Sequence, residues 1–361
     1  MKKYVFILIL LVSVSLTAQR ENKVIWITID GLRWQELYKG ADSLLINEAK
    51  FVYSKEELKQ KFWKPEEKKR REALFPFFWN EAVDKGVFLG NRQLGNKFSL
   101  KNKVLLSYAG YNEILTGNPD DENIKDNSKL NNPNKTLLEI LNESQEYQGR
   151  IRAFGSWDVF PYILNEERSK LSVNAGYRHS LRENPSPNEL LLNKIQDEFP
   201  KRWGTVRFDT FTHNYALESL KYDKPLVTYI AYGETDDFAH EGNYQKYLES
   251  AHKTDKMIRE LWEFVQSDPF YKDQTTFVIT TDHGRGEEAT EENTWKHHGR
   301  SIRNSEQSWF IAFGNNVKEL GEAKSRDQYF ATQVAATVAK LLNFNYKEMA
   351  EVGPSLPVLI D

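Results

Sequence analysis

The chain has 361 residues, 40% hydrophobic and 13% aromatic, which is enough for one large domain or two ordinary ones. The formal net charge is −3, so the chain as a whole lacks the excess of positive charge that is typical of nucleic-acid-binding proteins. The sequence contains no cysteine, which excludes disulfides and a lipid anchor on cysteine. The fold must therefore be stabilised by its core alone.

The N-terminus has the pattern of a secretory signal peptide. Two lysines precede an apolar run over residues 5–16, and Ala18 is a small residue suited to precede a cleavage point. The run is shorter than the roughly 20 residues that a spanning helix needs. We predict a signal peptide over residues 1–18 and an exported, periplasmic or secreted, single domain over residues 19–361 without a membrane span. An uncleaved anchor is the alternative.

Apolar runs that alternate with helical patterns predict an α/β protein. In chain order, the predicted strands are Val24–Ile29, Arg152–Phe154, Leu226–Ala231 and Thr276–Thr280. The clearest helical patterns are Tyr247–Val265 and Ala331–Leu342. Strands that are apolar throughout favour a buried, largely parallel sheet with helices on both faces. Such sheets bind ligands beyond the carboxyl ends of their strands.

Two segments between these elements are polar. Residues 55–72 are densely charged around Phe62 and Trp63, a pattern typical of solvated helix faces, and the sequence leaves open whether they form a lid. Residues 118–134 are rich in Asn, Asp and Pro and are predicted to form a loop.

Carboxylates and histidines follow the predicted strands. Asp30 comes directly after the first strand, where a buried carboxylate needs an arginine or a metal as partner. Asp236 and His240 are four residues apart and can face one site if their segment is helical. Asp282 and His283 are adjacent after another strand. Imidazole and carboxylate ligands together suit Zn²⁺ or a similar divalent ion.

The last two candidates lie outside these strand ends. "TWKHHGRS" supplies His297 and His298. "LLSYAGYNEILTG" places Ser107 after an apolar segment. A metal can hold the alkoxide of a serine at neutral pH and so make it a nucleophile.

These motifs together resemble the alkaline phosphatase superfamily, most closely its nucleotide pyrophosphatase/phosphodiesterase branch. "IDGLRWQEL" is similar to the first metal motif of that branch, and "SYAGYNEILTG" resembles its nucleophile motif, with Ser107 where many members have Thr. "ETDDFAH" resembles its Glu-Pro-Asp-x-x-Gly-His motif, with Thr235 and Ala239 in place of Pro and Gly. "TDHG" matches, and "SWFIAFG" resembles the closing strand.

The resemblance implies an alkaline-phosphatase-like three-layer α/β/α sandwich with two divalent ions, expected to be Zn²⁺. It assigns one ion to Asp236, His240 and His298. It assigns the other ion to Asp30, Asp282, His283 and Ser107. His297 competes with His298 for the last position, and the glycine that follows favours His298. The implied reaction is hydrolysis of a small-molecule phosphoester through a phosphoseryl intermediate on Ser107.

Residues that would choose the substrate are less defined by the sequence. Asn127 lies 20 residues after Ser107, roughly where the resembling branch has an asparagine that contacts a phosphoryl oxygen. Arg33 could contact substrate or form a structural ion pair. An aromatic wall or core packing are the alternatives for Trp157, Phe160 and Tyr162. Monoester and diester substrates both remain open at this point, as does the oligomeric state.

Three other functions compete with this hypothesis. A sulfatase of the superfamily needs Cys or Ser in a Cys/Ser-x-Pro-x-Arg context, whereas Ser107 is followed by Tyr-Ala-Gly. A mutase of the superfamily would have a similar site but is normally cytoplasmic, which the signal peptide disfavours. The third alternative is a non-enzymatic binding protein that zinc stabilises. A structural zinc site needs neither an open ligand position nor a serine, so the complete ligand set with Ser107 disfavours it.

Overall fold

The computed structural model describes residues 21–346 and 353–360. The predicted signal peptide lies outside these residues and stays a prediction, as do the domain limits. Within the described part of the chain, none of the helices is both long and apolar enough to cross a membrane.

The strands are short and mostly buried. In chain order they are β1 (Lys23–Ile29), β2 (Gly86–Leu89), β3 (Lys97–Ser99), β4 (Ile151–Gly155), β5 (Ser172–Ala175), β6 (Val227–Tyr232), β7 (Thr275–Thr280), β8 (Gln307–Ser308), β9 (Phe310–Gly314), β10 (Gly321–Glu322) and β11 (Gln328–Phe330).

The helices fall between and after the strands. They are α1 (Trp34–Lys39), α2 (Lys55–Phe62), α3 (Glu67–Leu74), α4 (Ser107–Thr116), α5 (Leu137–Glu143), α6 (Phe160–Ile163), α7 (Glu166–Ser169), α8 (Pro187–Glu198), α9 (Asp209–Tyr222), α10 (Glu234–His240), α11 (Tyr244–Ser267) and α12 (Val334–Leu341).

Eight strands form the central sheet in the order β10-β2-β9-β7-β1-β6-β4-β5. The central pairs β7/β1, β1/β6, β6/β4 and β4/β5 are parallel, whereas β9 runs antiparallel to β2 and β7. A second sheet of three strands has the order β11-β3-β8. The prediction of a largely parallel sheet is confirmed, and β9 is its antiparallel exception.

Alternate residues of β1 enter two separate cores. Ile25 and Ile27 pack in a cluster that includes residues of α9 and α11, whereas Val24 and Trp26 pack in a cluster that includes residues of α4 and α12. Because successive side chains of a strand point to opposite faces, the two clusters lie on opposite sides of the sheet. The predicted three-layer α/β/α architecture is therefore confirmed.

The polar segments behave as their composition indicates. Residues 55–72 form α2 and most of α3, whose charged side chains are largely exposed while Leu58 and Phe62 are anchored in the core. Residues 118–134 contain turns and bends but neither a helix nor a strand. The helical pattern predicted at Ala331–Leu342 begins as a short 3₁₀ turn and becomes α-helical only at Val334.

Candidate metal centre

Neighbouring strands bring two aspartates side by side. β1 and β7 are parallel, and Asp30 and Asp282 follow their carboxyl ends. The backbone N–H of Gly31 donates to Asp282 Oδ1 at 3.0 Å, and the Tyr111 hydroxyl donates to Asp30 Oδ2 at 2.8 Å. The other oxygen of each carboxylate is buried without a hydrogen-bond partner among the described residues. Two buried carboxylate oxygens without a hydrogen bond favour a cationic partner at this point.

His283 closes this group. Its Nδ1 donates to the Gly284 carbonyl at 3.0 Å, which leaves Nε2 to face the carboxylates. Nε2 lies 3.3 Å from Asp30 Oδ1 and 3.4 Å from Asp282 Oδ2. Burial lowers the pKa of His283, but the Asp282 and Asp30 carboxylates outweigh it and raise the pKa to about 9. Asp30, Asp282 and His283 form what we call the buried half of the centre.

Helix α10 supplies two residues of a second group. His240 Nε2 lies 3.2 Å from Asp236 Oδ2, as expected for positions four apart on a helix. His298 Nε2 lies 3.2 Å from His240 Nε2 and 3.8 Å from Asp236 Oδ1. We call Asp236, His240 and His298 the open half, because the His240 side chain is 39% exposed and that of Asp236 is 16% exposed.

Of the adjacent histidines, His298 is the better placed. Its ring stacks on that of His283 with centroids 3.6 Å apart, and its Nδ1 donates to the Leu105 carbonyl at 2.9 Å. His297 instead lies beside the outer nitrogen of His240, with the two Nδ1 atoms 3.3 Å apart. The geometry therefore favours His298 as the ligand and leaves His297 to flank His240.

Ser107 lies beside the buried half. It is the first residue of α4, and its Oγ lies 3.2 Å from His283 Nε2. A Cβ on Gly110, one turn along the helix, would lie 2.1 Å from the Asp282 carbonyl oxygen. Glycine at this position lets α4 approach the end of β7 closely. The N-terminus of a ten-residue helix beside a hydroxyl is suited to hold an anion such as a phosphoryl group.

Asn127 approaches the same helix start from the polar loop. Its Oδ1 accepts a hydrogen bond from the Tyr108 backbone N–H at 3.0 Å. Because Oδ1 is engaged, the amide NH₂ group is the part of Asn127 that remains to donate. The Tyr108 hydroxyl points elsewhere and donates to the Leu130 carbonyl at 2.6 Å.

Arg285 is a part of the centre that the sequence did not reveal. Its buried guanidinium forms an ion pair with the Asp236 carboxylate and donates to the Gly31 carbonyl from Nε at 3.2 Å. A Cβ on Gly31, whose φ is 57°, would lie 2.8 Å from both Arg285 Nε and Asp236 Oδ1. The only sequence signal was proximity, since Arg285 stands two residues after His283 in "TDHGRG".

A pair of buried acids at the N-terminus of α10 was also not identified from the sequence. The Asp209 carboxylate accepts from the backbone N–H groups of Gly233 and Glu234 at 2.8 and 3.1 Å, and the Glu234 carboxylate accepts from that of Asp209 at 2.8 Å. Each acid thus caps the helix that the other begins. The Lys253 ammonium donates to both Glu234 oxygens at 2.6 Å. This reciprocal cap fixes the start of the helix that carries Asp236 and His240.

Other candidates have structural roles. Arg33 is fully buried, pairs with Glu36 and donates to the Gly286 carbonyl at 3.1 Å, so it forms the structural ion pair that was one of its two alternatives. Phe160 is buried and packs edge-on against Tyr111 with ring centroids 4.8 Å apart, which places it in the core.

The donor set fits divalent cations. The potential ligand atoms of Asp30, Asp282 and His283 all lie within 4.8 Å of one another, as do those of Asp236, His283 and His298. Burial and the neighbouring Asp30 raise the pKa of Asp282 well above its usual value, which shows how crowded the negative charge is. A cation between the carboxylates would relieve that crowding.

Comparison with known families agrees with this geometry. Residues 210–346, which carry five of the candidate ligands, match the sequence model of the Metalloenzyme superfamily. The match agrees with the predicted superfamily over this part of the chain. The match supports an enzyme that uses metal, and it does not specify the pyrophosphatase/phosphodiesterase branch. A search of curated proteins gives no match.

Three solved structures of other proteins share the fold. Alkaline phosphatase PafA aligns over 94% of this chain and 99% of its own, with 9% identity and a TM-score of 0.61. The lipoteichoic acid synthase LtaP from Listeria monocytogenes aligns over 93% of this chain and 75% of its own, with 12% identity and a TM-score of 0.59. A 2-O GAG sulfatase aligns over 93% and 73%, with 13% identity and a TM-score of 0.53.

Proposed function

We propose that this protein is an exported, metal-dependent phosphoester hydrolase that uses Ser107 as its nucleophile. The observation that carries the proposal is the position of Ser107 Oγ, which lies at the N-terminus of α4 and 3.2 Å from His283 Nε2. A structural metal site would need no hydroxyl at this point. The similarity to phosphatase, sulfatase and synthase structures supports an ester-cleaving fold but not the choice of ester.

Two divalent ions, expected to be Zn²⁺, would occupy the buried and open halves. Asp30, Asp282 and His283 would hold one ion, with Ser107 as a further ligand. Asp236, His240 and His298 would hold the other. Such a pair of ions would stabilise negative charge on the attacking and leaving oxygens of an in-line displacement.

The residues of the chain then have separate tasks. Ser107 Oγ forms a bond to phosphorus while the bond from phosphorus to the leaving-group oxygen breaks, and the leaving group takes up a proton. Water then attacks the phosphorus of this intermediate, which restores the serine hydroxyl and releases phosphate from a monoester substrate or a phosphate monoester from a diester substrate. The amide of Asn127, whose Oδ1 accepts from the Tyr108 N–H, and the N-terminus of α4 would donate to the phosphoryl oxygens.

A direct assay tests this function. The purified protein, loaded with zinc, is offered an aryl phosphate, a bis-aryl phosphate and an aryl sulfate side by side. We expect turnover of at least one phosphoester, and phosphopeptide mapping of a trapped intermediate should place the label on Ser107. Turnover of the sulfate alone would favour the sulfatase alternative, and bound metal without any turnover would favour a binding protein.

Export is tested separately. The N-terminal sequence of the protein recovered from outside the cytoplasm should begin near Gln19 if residues 1–18 are cleaved as a signal peptide. Recovery of the protein in the membrane fraction with residues 1–18 intact would contradict cleavage and indicate an anchor.

A further inference from the structure

A polar cavity of about 700 Å³ adjoins the metal centre. One wall is the loop that precedes the nucleophile, including Lys101, Lys103 and Leu105, and another is Arg300. The cavity also has two acidic residues in its lining, Asp121 and Glu306. Its lining is distinct from the metal ligands, so it represents space beside the reaction centre rather than the reaction centre itself.

The cavity and the metal centre share a wall. The Leu105 carbonyl accepts the hydrogen bond from His298 Nδ1 at 2.9 Å, and Ser107 follows two residues later. Arg300 in turn lies two residues after His298. A substrate whose phosphorus is next to Ser107 can therefore extend part of its remaining structure into this cavity.

The loop that forms this wall is held firmly. The buried Glu113 carboxylate accepts from the backbone N–H groups of Lys101 and Asn102, each at 2.8 Å, and from Asn102 Nδ2 at 2.8 Å. Asn102 Oδ1 accepts from the Leu105 N–H at 2.8 Å. Leu105 has a φ of 55°, which is unusual for leucine and is maintained by these contacts. The lysines therefore project from a preorganised backbone.

The charge of the cavity favours anions. Asp121 already accepts the Lys103 backbone N–H at 2.8 Å, which offsets part of its negative charge. Among the residues that the structure describes, Lys103 and Arg300 form no ion pair with a carboxylate within 4.0 Å. Lys101 lies over the Phe330 ring, 4.6 Å from its centroid. Among the described residues, none of these three cations forms an ion pair, and together they outnumber the two carboxylates of the lining.

We propose that this cavity binds a second anionic group of the substrate, with Lys103 and Arg300 as its main contacts. The inference rests on the proposed phosphoester hydrolysis and narrows its substrate class to phosphoesters that carry a further phosphate, carboxylate or sulfate. The second group contributes binding energy without taking part in the bond exchange, so its loss raises KM more than it lowers kcat.

Matched substrates test the proposal. Glucose 6-phosphate and glucose 1,6-bisphosphate share a sugar and differ by one phosphate, and phosphate release and calorimetric binding are measured for both on the zinc-loaded protein. In the double variant Lys103→Gln/Arg300→Gln, we expect the preference for the bisphosphate, expressed as the ratio of kcat/KM or of Kd values, to fall about tenfold. The loss should appear mainly in KM, and the preference of the wild type should weaken at high salt.

The matched control is Lys272→Gln, an exposed lysine just before β7 at the opposite end of the sheet, which should leave the preference as in the wild type. An unchanged ratio in the double variant, or an equal fall in the control, would overturn the inference. If the wild type hydrolyses neither sugar phosphate, the ratio of Kd values still decides it. The proposed hydrolase function is tested separately: it fails if no phosphoester turnover depends on Ser107.

Discussion

The two halves of the metal centre are built differently. Asp30, Asp282 and His283 follow adjacent strands, and their side chains are at most 8% exposed. Asp236 and His240 lie on a helix of seven residues, and His298 comes from a loop. The buried half is therefore fixed by the sheet, whereas the open half depends on supporting side chains such as Arg285, Asp209 and Glu234.

This difference predicts unequal metal binding. In the buried half, one oxygen of each carboxylate lacks a hydrogen-bond partner in the described chain. A cation there would offset the free-energy cost of burying these charged oxygens. In the open half, Asp236 already has Arg285 as a cationic partner, and His240 is partly solvated. An ion in the open half should therefore exchange faster and leave first under a chelator.

The largest expected effect is on chemistry. Ser107→Ala should reduce phosphoester turnover by several orders of magnitude while both ions stay bound, because the proposed centre has six other ligands. Orientation of a nucleophile can contribute roughly 7–11 kcal/mol to lowering a barrier, of which a bound water would recover part. Steady-state rates and metal content of the same preparation check this.

Ser107→Thr, which keeps the hydroxyl, is the matched control and should retain far more activity. Near-normal rates for Ser107→Ala on both mono- and diesters, or a phosphate label on Tyr108 or Tyr111, would contradict the mechanism.

The next effect separates the two adjacent histidines. His298→Ala should weaken the ion of the open half by more than the roughly 10–100-fold typical of outer supporting residues, leaving about one ion per chain. His297→Ala should keep both ions, since the His297 ring lies on the outer side of His240, with the two Nδ1 atoms 3.3 Å apart. Metal titration of the two variants measures this. If His297→Ala loses an ion and His298→Ala keeps both, His297 is the ligand and His298 is not.

The reciprocal cap should show a smaller effect. Lys253→Met leaves the Glu234 carboxylate buried without its cation, at a cost of about 2 kcal/mol in the free energy of unfolding once the partial exposure of Lys253 is considered. Because α10 begins at Glu234, the affinity of the open half should fall while that of the buried half is kept. Equal loss at both halves would show that the cap acts only on global stability.

The smallest effect is a dependence on pH. Burial and the Glu234 carboxylate raise the pKa of Asp209 to about 7, above its value in the unfolded chain, roughly 3.9. The folded protein thus binds this proton more tightly, so the stabilisation is complete below about pH 4 and is lost as the pH rises through 7. In Asp209→Asn, the metal-free protein should lose less free energy of unfolding between about pH 5 and pH 8. Urea titrations at several pH values measure this. If the free energy of unfolding of Asp209→Asn changes with pH as much as that of the wild type, the account is wrong.

The sequence indicated the buried half best because its signals are local. A run of apolar residues that ends in Asp30, or in Thr281, Asp282 and His283, predicts both the strand and the position of the carboxylate at its end. Strand β5 has the sequence Ser-Val-Asn-Ala, too short and too polar for that pattern, and was not predicted.

The supporting residues of the open half could not be predicted in this way. Asp209 and Glu234 are 25 residues apart, and nothing in their local sequence indicates that each caps the other's helix. Arg285 resembles an ordinary surface arginine between two glycines until the fold brings it against Asp236. These partners depend on tertiary contacts, which the periodicity of one segment does not contain.

Anomalous diffraction at the zinc edge from zinc-loaded crystals tests the central claim most directly. The account predicts two peaks per chain, one bounded by Asp30, Asp282 and His283 and the other by Asp236, His240 and His298. After a brief soak in chelator, the second peak should weaken first. No peak in either position, or a single ion that His283 shares with both groups, would contradict a centre of two halves.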